Sequence, residues 1–282
     1  MNSALIINTK RFLWTYCRPG FQVVRRWRKA SHNRYDVWKS AQMGGILKAF
    51  VDHHGLVIQG GPFRGMKYTS DSMGSALMPK LVGSYEAEVQ ADLENYCRQA
   101  GAVNIVDIGC DEGYYAVGMA RKLPSARVYA FDISTQAQQM CRQMAIMNGV
   151  EDKVIIGGEC TPQVLNDLLR PGDLLICDCE GCEFSIVNPD LAPALKNVHM
   201  IVELHDSDYL ELNITPTLIK RFEASHEIEI VTGSTRRAAE WPAVRFLKSD
   251  QQRLAIDEGR TLGQQWALMR PRSRYEALRT QA

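Results

Sequence analysis

Residues Asn104 to Ala120 read NIVDIGCDEGYYAVGMA. Ile105, Val106 and Ile108 make an apolar run ending around Asp107, and Gly109 and Gly113 bracket a turn too tight for side chains. A helix follows. Strand, glycine turn and helix in this order form the unit with which α/β proteins hold nucleotide-like cofactors. The same junction also occurs where nothing binds, so its meaning depends on what surrounds it.

Two features give it meaning. ARVYAFDIS ends a second strand at Asp132, about twenty residues beyond the turn, where a carboxylate would meet ribose hydroxyls. The turn itself is GxxxG, with Asp111 where a dinucleotide fingerprint has its second glycine. That glycine lets backbone approach a pyrophosphate, and an acidic side chain repels one, so NAD and FAD are disfavoured. A cofactor with a cationic sulfonium and an amino group but no phosphate suits Asp107 and Asp111 better, and S-adenosylmethionine (SAM) fits that description.

From the turn outward the pattern alternates. Strands are expected near 104–109, 127–133, 153–157, 173–179, 198–204 and 227–232, with helical segments at 135–148, 161–169, 183–195 and 214–225 between them. This alternation predicts a mostly parallel sheet with helices on both faces. A last apolar run, Gln265 to Met269, is expected as an antiparallel edge strand after a polar loop over 236–263. Before the first cofactor strand, Tyr85, Val89, Leu93 and Tyr96 predict a helix within 77–100, and GLVIQGGPFRGMKYTS at 55–70 reads as a hairpin or two short strands.

The chain has 282 residues, 45% hydrophobic and 23% charged, enough for one sizeable core with an appendage. No apolar run approaches the roughly 20 residues of a membrane span, and the first ten residues lack the order of a secretion signal. Eight cysteines scattered through predicted strands and helices suit reduced thiols in the cytoplasm. The net charge of +1 hides an asymmetry: Met1 to Phe50 carries ten Lys or Arg against Asp36 alone, leaving the rest acidic. This basic, aromatic-rich arm points either to a contact with an anionic surface, including a peripheral place at the inner membrane face, or to helices packed on an acidic body. Nucleic acid is the less favoured partner.

The strand ends collect acidic side chains: Asp107 to Gly113, Asp132, Gly158 to Thr161, Asp178 to Glu183 and Glu203 to Asp206. Five stretches in this order, GSYEAE (83–88), VDIGCDEGYYAVGMA (106–120), FDIS (131–134), DLLICDCEGCEFSIV (173–187) and IVELHD (201–206), make the chain resemble the FkbM-type branch of class I SAM-dependent methyltransferases. It departs from the family pattern at Asp111, where asparagine is frequent, at Ala116, where serine is, and at Cys177. The resemblance implies a Rossmann-like class I methyltransferase domain over 83–282, with a seven-stranded sheet, after an extension over 1–82. It implies that Asp107, Gly109, Asp111 and Gly113 surround the methionine end of SAM, and Tyr114 is a further expected cofactor-binding residue. It places Asp132 on the ribose, Glu159 at the adenine amino group and Tyr85 and Glu86 as closing residues. Ile133, Cys160 and Asp178 are further expected cofactor-binding residues, Asp178 by its strand-end position lying nearest the transferred methyl.

Methyl transfer from a sulfonium is an in-line displacement, so positioning dominates, and an alcohol acceptor still needs a base. The candidates are Asp178, Glu180, Glu183, Glu203 and His205. Asp178, Glu180 and His205 are the expected catalytic residues, and His205 titrates nearest neutral pH. A planar amine acceptor usually meets an N/D-P-P-Y/F loop, which is absent, so an oxygen acceptor on a sugar, glycolipid or similar metabolite is expected. No metal is predicted: Cys177, Cys179 and Cys182 lack a second paired motif for zinc, and a divalent ion on Asp178, Glu180 and His205 is the chemical alternative. An RNA methyltransferase and a SAM-fold protein without turnover are the competing readings.

Overall fold

The computed structural model describes residues 34–72, 75–101, 103–206, 213–259 and 264–272, with side chains from residue 42 onward. The chain forms two compact units, Met1–Lys48 and Ala49–Ala282. Residues 49–82, grouped with the extension in the sequence reading, therefore lie in the second unit. Most of the basic arm lies outside the described residues. Helix α1 spans Arg34–His54.

Ala49–Ala282 is built on one seven-stranded sheet. Its strands are β1 (Asn104–Ile108), β2 (Arg127–Phe131), β3 (Val154–Gly157), β4 (Leu174–Cys177), β5 (His199–Leu204), β6 (His226–Thr232) and β7 (Gln265–Pro271). Their spatial order is β3-β2-β1-β4-β5-β7-β6. β1 to β5 pair in parallel, and β7 runs antiparallel to both β5 and β6. This is a Rossmann-like, mostly parallel sheet in the strand order of class I methyltransferases. One expectation is corrected. β7 is no edge strand; it is inserted between β5 and β6, and β6 forms the edge.

Continuous apolar runs explain the centre. Every residue of β4 (LLIC) and β5 (HMIVEL) is buried, as strands covered on both faces must be. One face contributes alternate residues, Val106, Ile108, Leu175, Cys177, Met200, Val202 and Leu204, to a single apolar cluster. That cluster is completed by helices α6 (Pro162–Leu168) and α8 (Ile214–Phe222), through Leu165, Leu218 and Phe222. Asp107 and Glu203 fall on the opposite face by the alternation of strand side chains.

The remaining helices in chain order are α2 (Leu77–Val82), α3 (Ala87–Gln99), α4 (Tyr114–Lys122), α5 (Thr135–Met147), α7 (Glu183–Ile186) and α9 (Ser249–Ala255). Ser134 and Thr161 cap α5 and α6, each side-chain oxygen accepting from the third N–H beyond it. The helix expected within 77–100 is broken in two. Gly83 ends α2 with φ +92, and a Cβ there would overlap the backbone of Gly60, so only glycine fits. The helix expected over 183–195 stops at Ile186, and a 3-10 turn follows at Pro193–Asn197. The 55–70 segment folds as a hairpin-like arm with a single bridge between Val57 and Lys67. The polar 236–263 segment contains α9 and two 3-10 turns. No helix among the described residues is long and apolar enough to cross a membrane.

Candidate cofactor and catalytic site

The turn after β1 is shaped by three residues with left-handed backbone: Gly109 (φ +80), Asp111 (φ +47) and Gly113 (φ +95). A Cβ on Gly109 would overlap the carbonyl oxygen of Asp178, because the chain leaving β4 crosses directly over the turn. Glycine is therefore required there for close approach as well as for its dihedral. Gly109 and Cys110 donate to the carbonyl of Phe131 at 2.8 and 3.1 Å, fastening the turn to the end of β2.

Asp132 stands just past that point. Its Oδ2 accepts from the Asp111 N–H at 3.1 Å and its Oδ1 from the Ser134 N–H at 2.7 Å. One carboxylate thus fixes the glycine turn and the start of α5 in a single orientation. Beside it Ile133 is 70% exposed, a large apolar side chain presented outward. Glu159 is exposed and Cys160 buried on the neighbouring β3–α6 connection.

Asp107 is 2% exposed, and its Oδ2 has no hydrogen-bond partner. Burial, with the charges of Asp178, Asp111 and Asp132 adding to it, pushes its carboxyl up to about 8. Asp111 is pushed up to about 7, again chiefly by burial; Lys80 opposes, and Glu112, Asp132 and Asp178 reinforce. These carboxylates share a pocket in which negative charge is under-compensated.

Tyr114 is buried in an aromatic cluster, edge-on to Phe63 and Tyr85 with centroids 5.1 Å apart in both pairs. Glu86, also buried, accepts from the Tyr115 hydroxyl, and its N–H donates to Glu258 Oε1 at 3.1 Å. Arg236 then links Glu88 and Glu258, with 2.5 Å to the latter. The long segment after β6 is in this way tied across the GSYEAE stretch.

A polar network that the sequence reading passes over lies beneath the turn. Lys80, Tyr68 and Ser72 all donate to Glu112 Oε1, at 2.5, 2.6 and 2.7 Å. Burial alone would raise Glu112, but the Lys80 ammonium and the three hydrogen bonds hold its carboxyl below the usual range. Its only sequence signal is a lysine within the apolar LMPKLV, which on α2 is 2% exposed.

The last group gathers at the ends of β4 and β5. His205 Nδ1 is 2.8 Å from Glu183 Oε1, and its Nε2 is 3.7 Å from Asp178 Oδ1 and 3.9 Å from Glu203 Oε1. Among the described residues, Asp178, Glu203 and His205 are the one grouping of three ligand-type side chains whose atoms lie within 4.8 Å of one another. Burial alone would lower His205, but the hydrogen bond to Glu183 and the charges of Glu183, Asp178 and Glu180 raise it to about 9. The ring therefore carries both protons at neutral pH, contrary to the expectation that it titrates there. Glu180, exposed and with φ +57, stands outside the grouping, and Glu203 takes the place expected for it. Cys177 and Cys179 approach to 3.5 Å, Cys182 is exposed, and the three thiols form no such grouping.

A surface depression of about 610 Å³ lies elsewhere, lined by residues of α8 and the chain after α7, including Pro189, Lys220 and Arg221. None of the site residues lines it.

No protein-family model matches the chain. It is 30% identical over 95 residues to ribosomal protein L11 methyltransferase of Acinetobacter baumannii, covering 33% of this chain. The match spans about 30% of that protein's length. Among solved structures, a putative O-methyltransferase from Klebsiella pneumoniae aligns at TM-score 0.43 and 16% identity, over 64% of this chain and 77% of that one. An O-methyltransferase from Bacillus cereus in complex with SAH aligns at TM-score 0.44 and 13% identity, over 82% and 91%. The fold assignment rests on the strand order itself.

Proposed function

We propose that this chain is a SAM-dependent methyltransferase of FkbM type that methylates a hydroxyl oxygen on a sugar, glycolipid or related small metabolite. The observation that carries the reading is Asp107: a buried carboxylate with one unpartnered oxygen, at the carboxyl end of the central strand, beside a turn that only glycine can make. Such an atom costs free energy unless a donor meets it, and a ligand ammonium is the donor that best offsets clustered negative charge.

The residues fit the cofactor on three further counts. Asp132, oriented by two backbone N–H groups, has acceptor capacity left for vicinal hydroxyls. Ile133 offers an exposed apolar face for a flat base. Asp111 opposes phosphate. When bound, SAM supplies an electrophilic methyl on a sulfonium. The chain supplies orientation: Asp107 and the turn hold one end, Asp132 and Ile133 the other, and Asp178 borders the space between β1 and β4. Asp178, part-exposed just past the end of β4, would accept the acceptor's hydroxyl proton.

The experiment is isothermal titration with SAM and with S-adenosylhomocysteine (SAH), repeated on Asp132→Ala. Binding by the wild type, weakened at least tenfold in the variant, is expected. A folded wild type that binds neither would overturn the reading.

A further inference from the structure

We propose that Asp178, Glu203 and His205 form a site for one divalent cation of the Mn²⁺ or Zn²⁺ type. The spacing is the first argument. Distances of 3.7 and 3.9 Å from His205 Nε2 to two carboxylate oxygens are too long for hydrogen bonds. Two atoms ligated to one ion at roughly 2.1 Å each stand about 3.0 Å apart at a right angle and about 4.2 Å apart when opposite. Both separations fall inside that interval. The third pair lies within 4.8 Å, so closing on an ion asks at most about 1 Å of one carboxylate, and Asp178, with a side chain 30% exposed, has room to turn.

The second argument is the far side of the imidazole. Glu183 Oε1 takes the Nδ1–H at 2.8 Å, which turns Nε2 toward Asp178 and Glu203. A carboxylate behind a histidine in this way is the usual support of a metal ligand, fixing tautomer and ring orientation. Glu183 is itself held: the Cys179 N–H donates to the same oxygen at 3.2 Å, and the side chain is fully buried with Oε2 unpartnered.

One imidazole with two carboxylates is a donor set for Mn²⁺ or Zn²⁺ rather than for a thiophilic ion. Loading displaces the Nε2 proton to solvent and leaves positions open for outside oxygen ligands. If the methyltransferase reading holds, on which this role alone rests, the acceptor hydroxyl takes one of those positions and is acidified there.

The full chain, freed of metal by chelation, should be titrated with Mn²⁺ and separately with Zn²⁺, with and without SAH. Binding is followed by calorimetry and, for Mn²⁺, by loss of the free-ion electron paramagnetic resonance signal. One site per chain is expected, weakened at least tenfold in both Glu203→Gln and His205→Ala and weakened by a smaller factor in Glu183→Gln, a positioning residue. Circular dichroism and thermal unfolding identify a variant that has not folded; His205, part-exposed, keeps the test available should Glu203→Gln fail. Absence of binding by the wild type at millimolar metal, or affinity unchanged in both ligand variants, would overturn the site. SAH binding without metal binding rejects the metal alone, and metal binding without SAH binding rejects the methyltransferase reading alone.

Discussion

Gly109 and Asp107, two positions apart, do different work: the glycine shapes the turn and the carboxylate faces into the site. The glycine bracket was legible because only glycine tolerates that dihedral, and the structure adds the reason that no spacing could give, the carbonyl of Asp178 lying where a Cβ would be. Gly109→Ala is expected to cost about 3 kcal/mol or more, from backbone strain and the forced separation of β1 from β4, measured by urea unfolding. Asp132→Ala frees the N–H groups of Asp111 and Ser134 together. Its SAH affinity should fall by about tenfold to a hundredfold, roughly 1.4–2.7 kcal/mol, and the melting temperature should fall as well, because both N–H groups lose their acceptor. By contrast, which acidic side chains at the strand ends converge was not legible. Glu180 and Glu203 both follow apolar runs, and only the backbone turn at Glu180, with φ +57, swings one away from His205 while the pleat of β5 keeps the other in place.

Between elements, the informative case is α2. Periodicity alone joins it to α3, because Tyr85, Val89, Leu93 and Tyr96 continue a helical spacing; the break at Gly83 comes from a backbone contact with Gly60, far away in sequence. Tertiary approach overrides local pattern here. The break lets Lys80 reach Glu112, so that α2, the 56–72 arm and the cofactor turn share one buried ion pair. Lys80→Met should destabilise the fold by about 3–5 kcal/mol, since the Glu112 carboxylate would stay buried without its cation. The double variant Lys80→Met with Glu112→Gln should recover part of that loss, and chemical denaturation of the three proteins decides it. Equal destabilisation in single and double variants would reject the ion pair as the cause.

For the molecule as a whole, opposed pKa shifts set the dependence of stability on pH. Asp107 and Asp111 hold their protons in the folded state up to about 8 and 7, whereas the unfolded chain releases them near 4. From about pH 4 upward the native state binds more protons, so stability falls as pH rises toward 8, each group adding up to about 1.4 kcal/mol per pH unit. Asp92 works the other way. Burial alone would raise it, but His199 and Arg270, at 2.5 and 2.7 Å, hold it low, so its contribution is present above about pH 4 and lost as pH falls below. The ligand-free protein should be most stable near pH 4–5, and thermal unfolding across pH 3–9 should show this optimum. Asp107→Asn should flatten the decline toward pH 8, and saturating SAH should shift the optimum upward; an unchanged profile in both cases would sink the charge argument.

The placement of β7 also bears on how the sheet is completed during synthesis. Among the described residues β6 has no strand partner but β7, and β5 has β7 on its outer side. A nascent chain that has emerged only through β6 can assemble the parallel β3-β2-β1-β4-β5 ribbon, cofactor turn included, yet exposes an open edge on β5 and a loose β6 until residues 265–271 arrive. The ribosome-bound intermediate is therefore the form most in need of chaperone protection, and substitutions in WALM, 266–269, should reduce soluble yield out of proportion to any effect on ligand affinity.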